Sequence, residues 1–200
     1  MEAILSAIKL RKIKNVKPSI VISDKANAPG LKIASEKFGV ATKTLDCGCK
    51  GWDYDQKLVP VLEEHGVTKK EGAICLAGFT RVLSHEFVST YKMRIMNIHP
   101  ALLPSFRGLH AQKQALEHGV KVTGCTVHFV DEDIDTGPII LQRAVPVFAS
   151  DTEELLSERI LKVEHELYPE ALDLFSKDDI RIEGRIVSIL TRDTKNKPKY

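Results

Sequence analysis

Apolar and polar positions follow two rhythms along this chain. Short runs rich in β-branched residues fall at 19–23 (SIVIS), 40–45 (VATKTL), 73–77 (AICLA) and 94–98 (RIMNI). Between them, at 31–38, 53–65, 85–91 and 111–118, apolar residues recur three and four positions apart. Short strands alternating with amphipathic helices predict an α/β fold with a doubly wound, mostly parallel sheet. The run 73–77 shows no polar alternation, as expected of a strand buried on both faces. Gly39 and Gly119 stand just past helix ends, where glycine is favoured, and Pro60 is expected to kink or shorten the helix it falls in.

The rhythm changes after residue 120. Residues 121–130 and 138–148 read as two longer strands flanking an acidic stretch at 131–137. A long amphipathic helix is predicted over 152–176, capped by Ser150 or Asp151, with Glu153 and Glu154 in its first turn. Residues 180–189 fit a hairpin turning at Glu183 and Gly184. The first fourteen residues fit a helix with a basic C-terminal end.

Composition narrows the picture. With 200 residues, 43% of them hydrophobic and 28% charged, the chain supports one domain over 1–190 and a frayed polar tail over 191–200. Nine prolines and twelve glycines exclude a coiled coil, and no apolar run approaches the roughly 18 residues a membrane span needs. The net charge of +2 gives no electrostatic footprint for nucleic acid. Four cysteines are too few for a disulfide framework, which favours a reducing, cytoplasmic setting. Cys47 and Cys49, with no CxxC or His-x-x-x-His partner, read as loop thiols rather than metal ligands.

The densest chemical signal is the stretch 96–104 (MNIHPALLP). Asn97 and His99 are two apart at a strand end, so their side chains leave the same face, and Pro100 stops the ladder beside them. In open α/β sheets ligands bind at that end of the strands. An amide donor next to an imidazole suits charge stabilisation on an oxygen together with proton transfer. The same pair also fits a plain strand-end cap. A second signal is 124–138 (GCTVHFVDEDIDTGP), a strand running into an acidic loop closed by Gly137 and Pro138. One of its carboxylates is placed to orient a histidine, although the run by itself also reads as a solvated turn.

Together these stretches, with 76–83 (LAGFTRVL) and 163–169 (VEHELYP), resemble the phosphoribosylglycinamide formyltransferases over nearly the whole chain to about residue 190. The resemblance implies a Rossmann-like formyltransferase domain and transfer of the formyl group of 10-formyltetrahydrofolate to the amine of glycinamide ribonucleotide. Asn97 would bind the formyl oxygen, His99 would shuttle the proton, and Asp135 would tune and orient His99. Thr80, Arg81, Val82 and Leu83, with Asp131 and Asp133 of the acidic loop, would line the folate pocket. Glu164, Pro100 and His110 would face the nucleotide substrate. Both partners are small molecules, no metal is required, and the protein would be a monomer or homodimer. Deformylation of the same folate, with water replacing the amine, is the alternative chemistry. Pro100 and the lack of an N-terminal regulatory domain speak against it.

The chain also departs from the family pattern. Members open with a strand and a Gly/Ser/Asn-rich loop that cradles the substrate phosphate, whereas Met1 matches the start of the helix after that loop. The resemblance therefore implies a sheet short of its first, central strand, with that start lying upstream of Met1. A gap filled by another segment, or a folate-binding remnant without nucleotide binding, are the other outcomes. Gly51 stands near a position where the family often has a folate-contacting arginine, with Lys50 beside it, and Gln112 stands where many members have histidine.

Overall fold

The computed structural model describes residues 1–190; the tail expected over 191–200 lies outside the described residues. In chain order the elements are α1 (Glu2–Lys9), β1 (Ile20–Ser23), α2 (Pro29–Lys32), β2 (Ala41–Thr44), α3 (Trp52–Glu64), β3 (Ile74–Cys75), α4 (His85–Thr90) and β4 (Ile95–His99). They continue with α5 (Ala111–Glu117), β5 (Val122–Phe129), β6 (Ile139–Pro146), α6 (Glu153–Ser176), β7 (Ile180–Glu183) and β8 (Ile186–Ile189). The α/β alternation holds as expected. After α2 the chain widens into one π-helical segment, Ile33–Lys37, within the stretch expected as a single helix. Pro60 does not shorten α3. It lies on the exposed face, where the carbonyl it leaves unpaired can bond water. The cap of α6 is Thr152, whose hydroxyl accepts from the Leu155 N–H. Asp151, one of the two caps expected, instead holds Arg159 in an ion pair, with atoms 2.6 Å apart.

β1 pairs in parallel with β2, and β3 in parallel with β4; β5 and β6 then add antiparallel, in the order β3-β4-β5-β6. Residues of α1, α6, β5 and β6 form the larger core around Met96, Val127 and Leu167, which has α6 on one face of the sheet. A second core, around Tyr54, Leu62, Phe87 and Ile95, packs α3 and α4 on the opposite face. Helices therefore cover both sides, which fits the doubly wound architecture.

The sheet is nevertheless divided. No ladder joins β1 to β3 among the described residues, and a cavity of about 930 Å³ opens between these two strands. Helical side chains line it from both layers: Ile4 and Leu5 of α1 and Leu172 of α6, against Leu58 and Leu62 of α3. This explains why β3, expected over five residues, is held as a strand over only two. It has a partner on one edge and a cavity on the other. Neither helix layer supplies a membrane span: no helix of the described residues is long and apolar enough to cross a bilayer.

Candidate active site

β4 and β5 build the site through their register. In this antiparallel pair Asn97 stands opposite His128 and His99 opposite Thr126. Directly opposed residues share a face, so these four side chains project together from one side of the sheet. Thr126 holds the turn after His99. Its hydroxyl donates to the Ala101 carbonyl at 2.7 Å and accepts from the Leu103 N–H at 3.1 Å. Gln142 of β6 donates to the Leu103 carbonyl at 2.9 Å and so clamps the same turn from the next strand.

Close backbone approach shapes the rest. A Cβ on Gly124 would stand 2.0 Å from the Arg143 carbonyl oxygen, and one on Gly137 only 1.8 Å from the Phe129 carbonyl oxygen. Glycine is required at both places. At Gly137 this lets the acidic loop fold back on the end of β5, where the Phe129 N–H donates to the Pro138 carbonyl. The fold-back carries Asp135 over β4. Asp135 sits at φ +53°, a conformation that favours glycine and asparagine, and the strain coincides with the functional cluster.

Within that cluster His99 is nearly fully buried, with Nδ1 3.2 Å from Asp135 Oδ2 and Nε2 2.7 Å from the Phe106 carbonyl oxygen. The Gly108 N–H donates to Asp135 Oδ2 at 2.8 Å. Burial lowers the pKa of the His99 imidazole; the Asp135 charge and the Phe106 carbonyl work against that shift. Burial works to raise the Asp135 carboxyl, yet it is held below its ordinary value, with the Gly108 N–H and His99 among the groups that hold it there. A carboxylate beside Nδ1 suits a base whose Nδ1–H is fixed and whose Nε2 exchanges the proton. In this arrangement the Phe106 carbonyl, which can only accept, faces Nε2 and covers it.

The structure brings Asn97, His99 and Asp135 together. It also adds His128, which lies in the stretch 124–138 but has no spacing there that predicts a role. His128 lies in a strand buried from Thr123 to Phe129, and its pairing with Asn97 depends on a register that one chain cannot show. Asp131 accepts from the Thr136 hydroxyl at 2.5 Å and faces Arg185, so it braces the loop, while Asp133 is exposed. Pro100 follows β4 directly, and His110 is exposed at the start of α5.

Thr80, Val82 and Leu83 follow β3, and Thr80 and Leu83 line the cavity beside it. Arg81 turns toward neighbouring loops. It pairs with Asp24 at 3.1 Å, bonds the Cys49 carbonyl, and stacks 3.9 Å from the Tyr54 ring centroid. Glu164 on α6 is half-buried, and burial raises its carboxyl pKa, partly offset by the Met1 amino group. Cys47 and Cys49, expected as free thiols, are instead joined in a disulfide. Their Cα atoms lie 5.2 Å apart within one loop, a separation inside the range a disulfide spans. That loop borders a cavity of about 470 Å³ shared with Asp24 and Arg81.

Comparison with known proteins places this geometry in context. Residues 1–172 match the family model described as formyl transferase. The trifunctional purine biosynthetic protein adenosine-3 of Gallus gallus is 47% identical over 165 residues, 82% of this chain but 16% of that protein. The chain thus spans about a sixth of that relative's length. The phosphoribosylglycinamide formyltransferase of Escherichia coli strain K12 is 40% identical over 184 residues, 91% of this chain and 84% of that enzyme. The crystal structure of glycinamide ribonucleotide transformylase 1 from Symbiobacterium toebii superposes with a TM-score of 0.88 at 46% identity, covering 95% of this chain and 88% of that one.

Proposed function

We propose that this chain, which belongs to the formyl transferase family, transfers the formyl group of 10-formyltetrahydrofolate to the primary amine of 5-phosphoribosylglycinamide. The observation that carries the reading is the His99–Asp135 pair set beside Asn97 at the carboxyl end of β4. The donor set suits a formyl carbonyl under attack by an amine: one uncharged N–H donor for the oxygen, and one buried imidazole backed by a carboxylate for the proton. The names of the E. coli and Symbiobacterium relatives support this acceptor over water.

In this reading Asn97 donates to the formyl oxygen as negative charge develops there. His99 takes the proton of the attacking amine on Nε2 and returns it to the departing folate nitrogen, with Asp135 holding Nδ1–H throughout. Thr80, Arg81, Val82 and Leu83, with Asp131 and Asp133 of the acidic loop, receive the folate. Glu164, Pro100 and His110 face the nucleotide. The proposal keeps the cytoplasmic setting, small-molecule partners and a monomer or homodimer.

The test is a spectrophotometric assay with both substrates, following the absorbance change as the folate product forms. Product formation that depends on the amine supports the proposal. Formate release at the same rate with no amine present would show a hydrolase and overturn it.

A further inference from the structure

An asparagine amide can face a ligand with either its N–H₂ or its carbonyl, and only the first serves a developing negative oxygen. The surroundings of His128 decide between them. His128 Nδ1 lies 2.8 Å from the Phe129 carbonyl oxygen. That oxygen only accepts, so Nδ1 carries the hydrogen. In the neutral ring Nε2 is then an acceptor, and Asn97 Nδ2 stands 3.3 Å from it. Asp135 Oδ1 is farther from the same nitrogen, at 3.6 Å, outside hydrogen-bond distance. Flipping the Asn97 amide would set its carbonyl oxygen against the Nε2 lone pair. One amide hydrogen is thereby committed to His128, and the amide plane directs the other away from it.

We propose that His128 is a positioning residue: by accepting one Asn97 N–H on Nε2, it holds the amide so that its second N–H faces the reacting oxygen. The inference rests on the formyl-transfer reading for its effect on rate, but the pairing itself does not. Three local features keep His128 in this state. The register sets it across from Asn97, the ladder shifts between Val127 and His128 where β5 meets β6, and Gly137 leaves room for the Phe129 carbonyl that fixes Nδ1–H. His128 is almost fully buried, so no solvent competes for Nε2.

Nitrogen NMR of the imidazole side chains, on the unsubstituted protein above neutral pH, reads the tautomer directly. The expected result is His128 protonated on Nδ1 and bare on Nε2; a resting protein with Nε2 protonated overturns the proposal. Kinetics supply the second arm. His128→Leu should lower kcat by about tenfold to a hundredfold, the scale of misplacing a reacting group by an ångström, with KM for both substrates unchanged. His128→Gln, whose side-chain oxygen reaches the place of Nε2, should recover most of that loss. A folded Gln variant as slow as a folded Leu variant, judged by circular dichroism and melting temperature, overturns the proposal. If the unsubstituted protein turns over neither substrate, the transfer reading falls, and the NMR tautomer alone decides the His128–Asn97 pairing.

Discussion

Asn97 and Asp135 fail differently when removed. Asn97→Ala deletes a donor that acts as charge builds up, so kcat should fall by about 10²–10³-fold while KM moves little; steady-state kinetics check this. Asp135 acts through His99. Burial sets the His99 pKa below its ordinary value, so the acid limb of kcat should lie below the usual histidine range. Asp135→Asn removes the charge that props that pKa up. It should shift the limb to still lower pH while depressing the plateau, and a kcat–pH profile shows both. The same shifts bear on stability. His99 and Asp135 both titrate lower when folded than when unfolded, so the folded form holds fewer protons over those intervals. Their contribution is present at neutral pH and is lost as the pH falls, first through the His99 interval and then through that of Asp135. Thr126 carries weight of another kind. Thr126→Val leaves the Leu103 N–H and Ala101 carbonyl without their partner in a buried turn, at a cost of about 1–3 kcal/mol measurable by denaturant titration.

At the scale of elements, β4, β5 and the acidic loop act as one device, and Gly137 is its tightest point. Gly137→Ala places a methyl against the Phe129 carbonyl, which must shift, and with it both the Asp135 fold-back and the His128 tautomer. Overpacking of this kind costs about 1–3 kcal/mol, and activity should fall further than stability does. Melting temperature and kcat measured on one sample separate the two effects. Much of this device was legible in the chain. Asn97 and His99 declared themselves by their spacing before Pro100, and the strand pattern on either side of 131–137 placed the loop. The carboxylate that reaches His99, among those of the acidic run, came from the family resemblance. What stayed hidden depends on how the chain folds back on itself: the opposition of His128 to Asn97 across the sheet and the Phe106 carbonyl on His99. Neither of these leaves a periodic or local trace.

At the scale of the whole fold, the two parts of the sheet are joined by helices, with no ladder between them among the described residues. The alternation of elements announced the architecture, whereas the short β3 and the cavity beside it follow from which edges find partners. Cooperative protection should differ accordingly. Amides of β1 and β2 rest on a small cluster around Leu5, Ala34 and Val40, whereas β4 and β5 sit against the large core. Native-state hydrogen exchange should therefore show β1–β2 opening at a lower free energy than β4–β5; equal protection would mean that the two parts unfold as one. Tyr168 strengthens the contrast, since its hydroxyl lies within 3 Å of the Leu76 and Met96 carbonyls and pins α6 to the four-stranded part alone. The gap has a mechanical meaning as well. Under tension applied across it, from residue 23 to residue 77, the halves can part by sliding apolar side chains, with no row of hydrogen bonds among the described residues to shear. A single-molecule pulling trace between these anchors should then yield at low force first and lengthen by the joining stretch 24–76, while β4–β5–β6, outside the loaded stretch, stays folded.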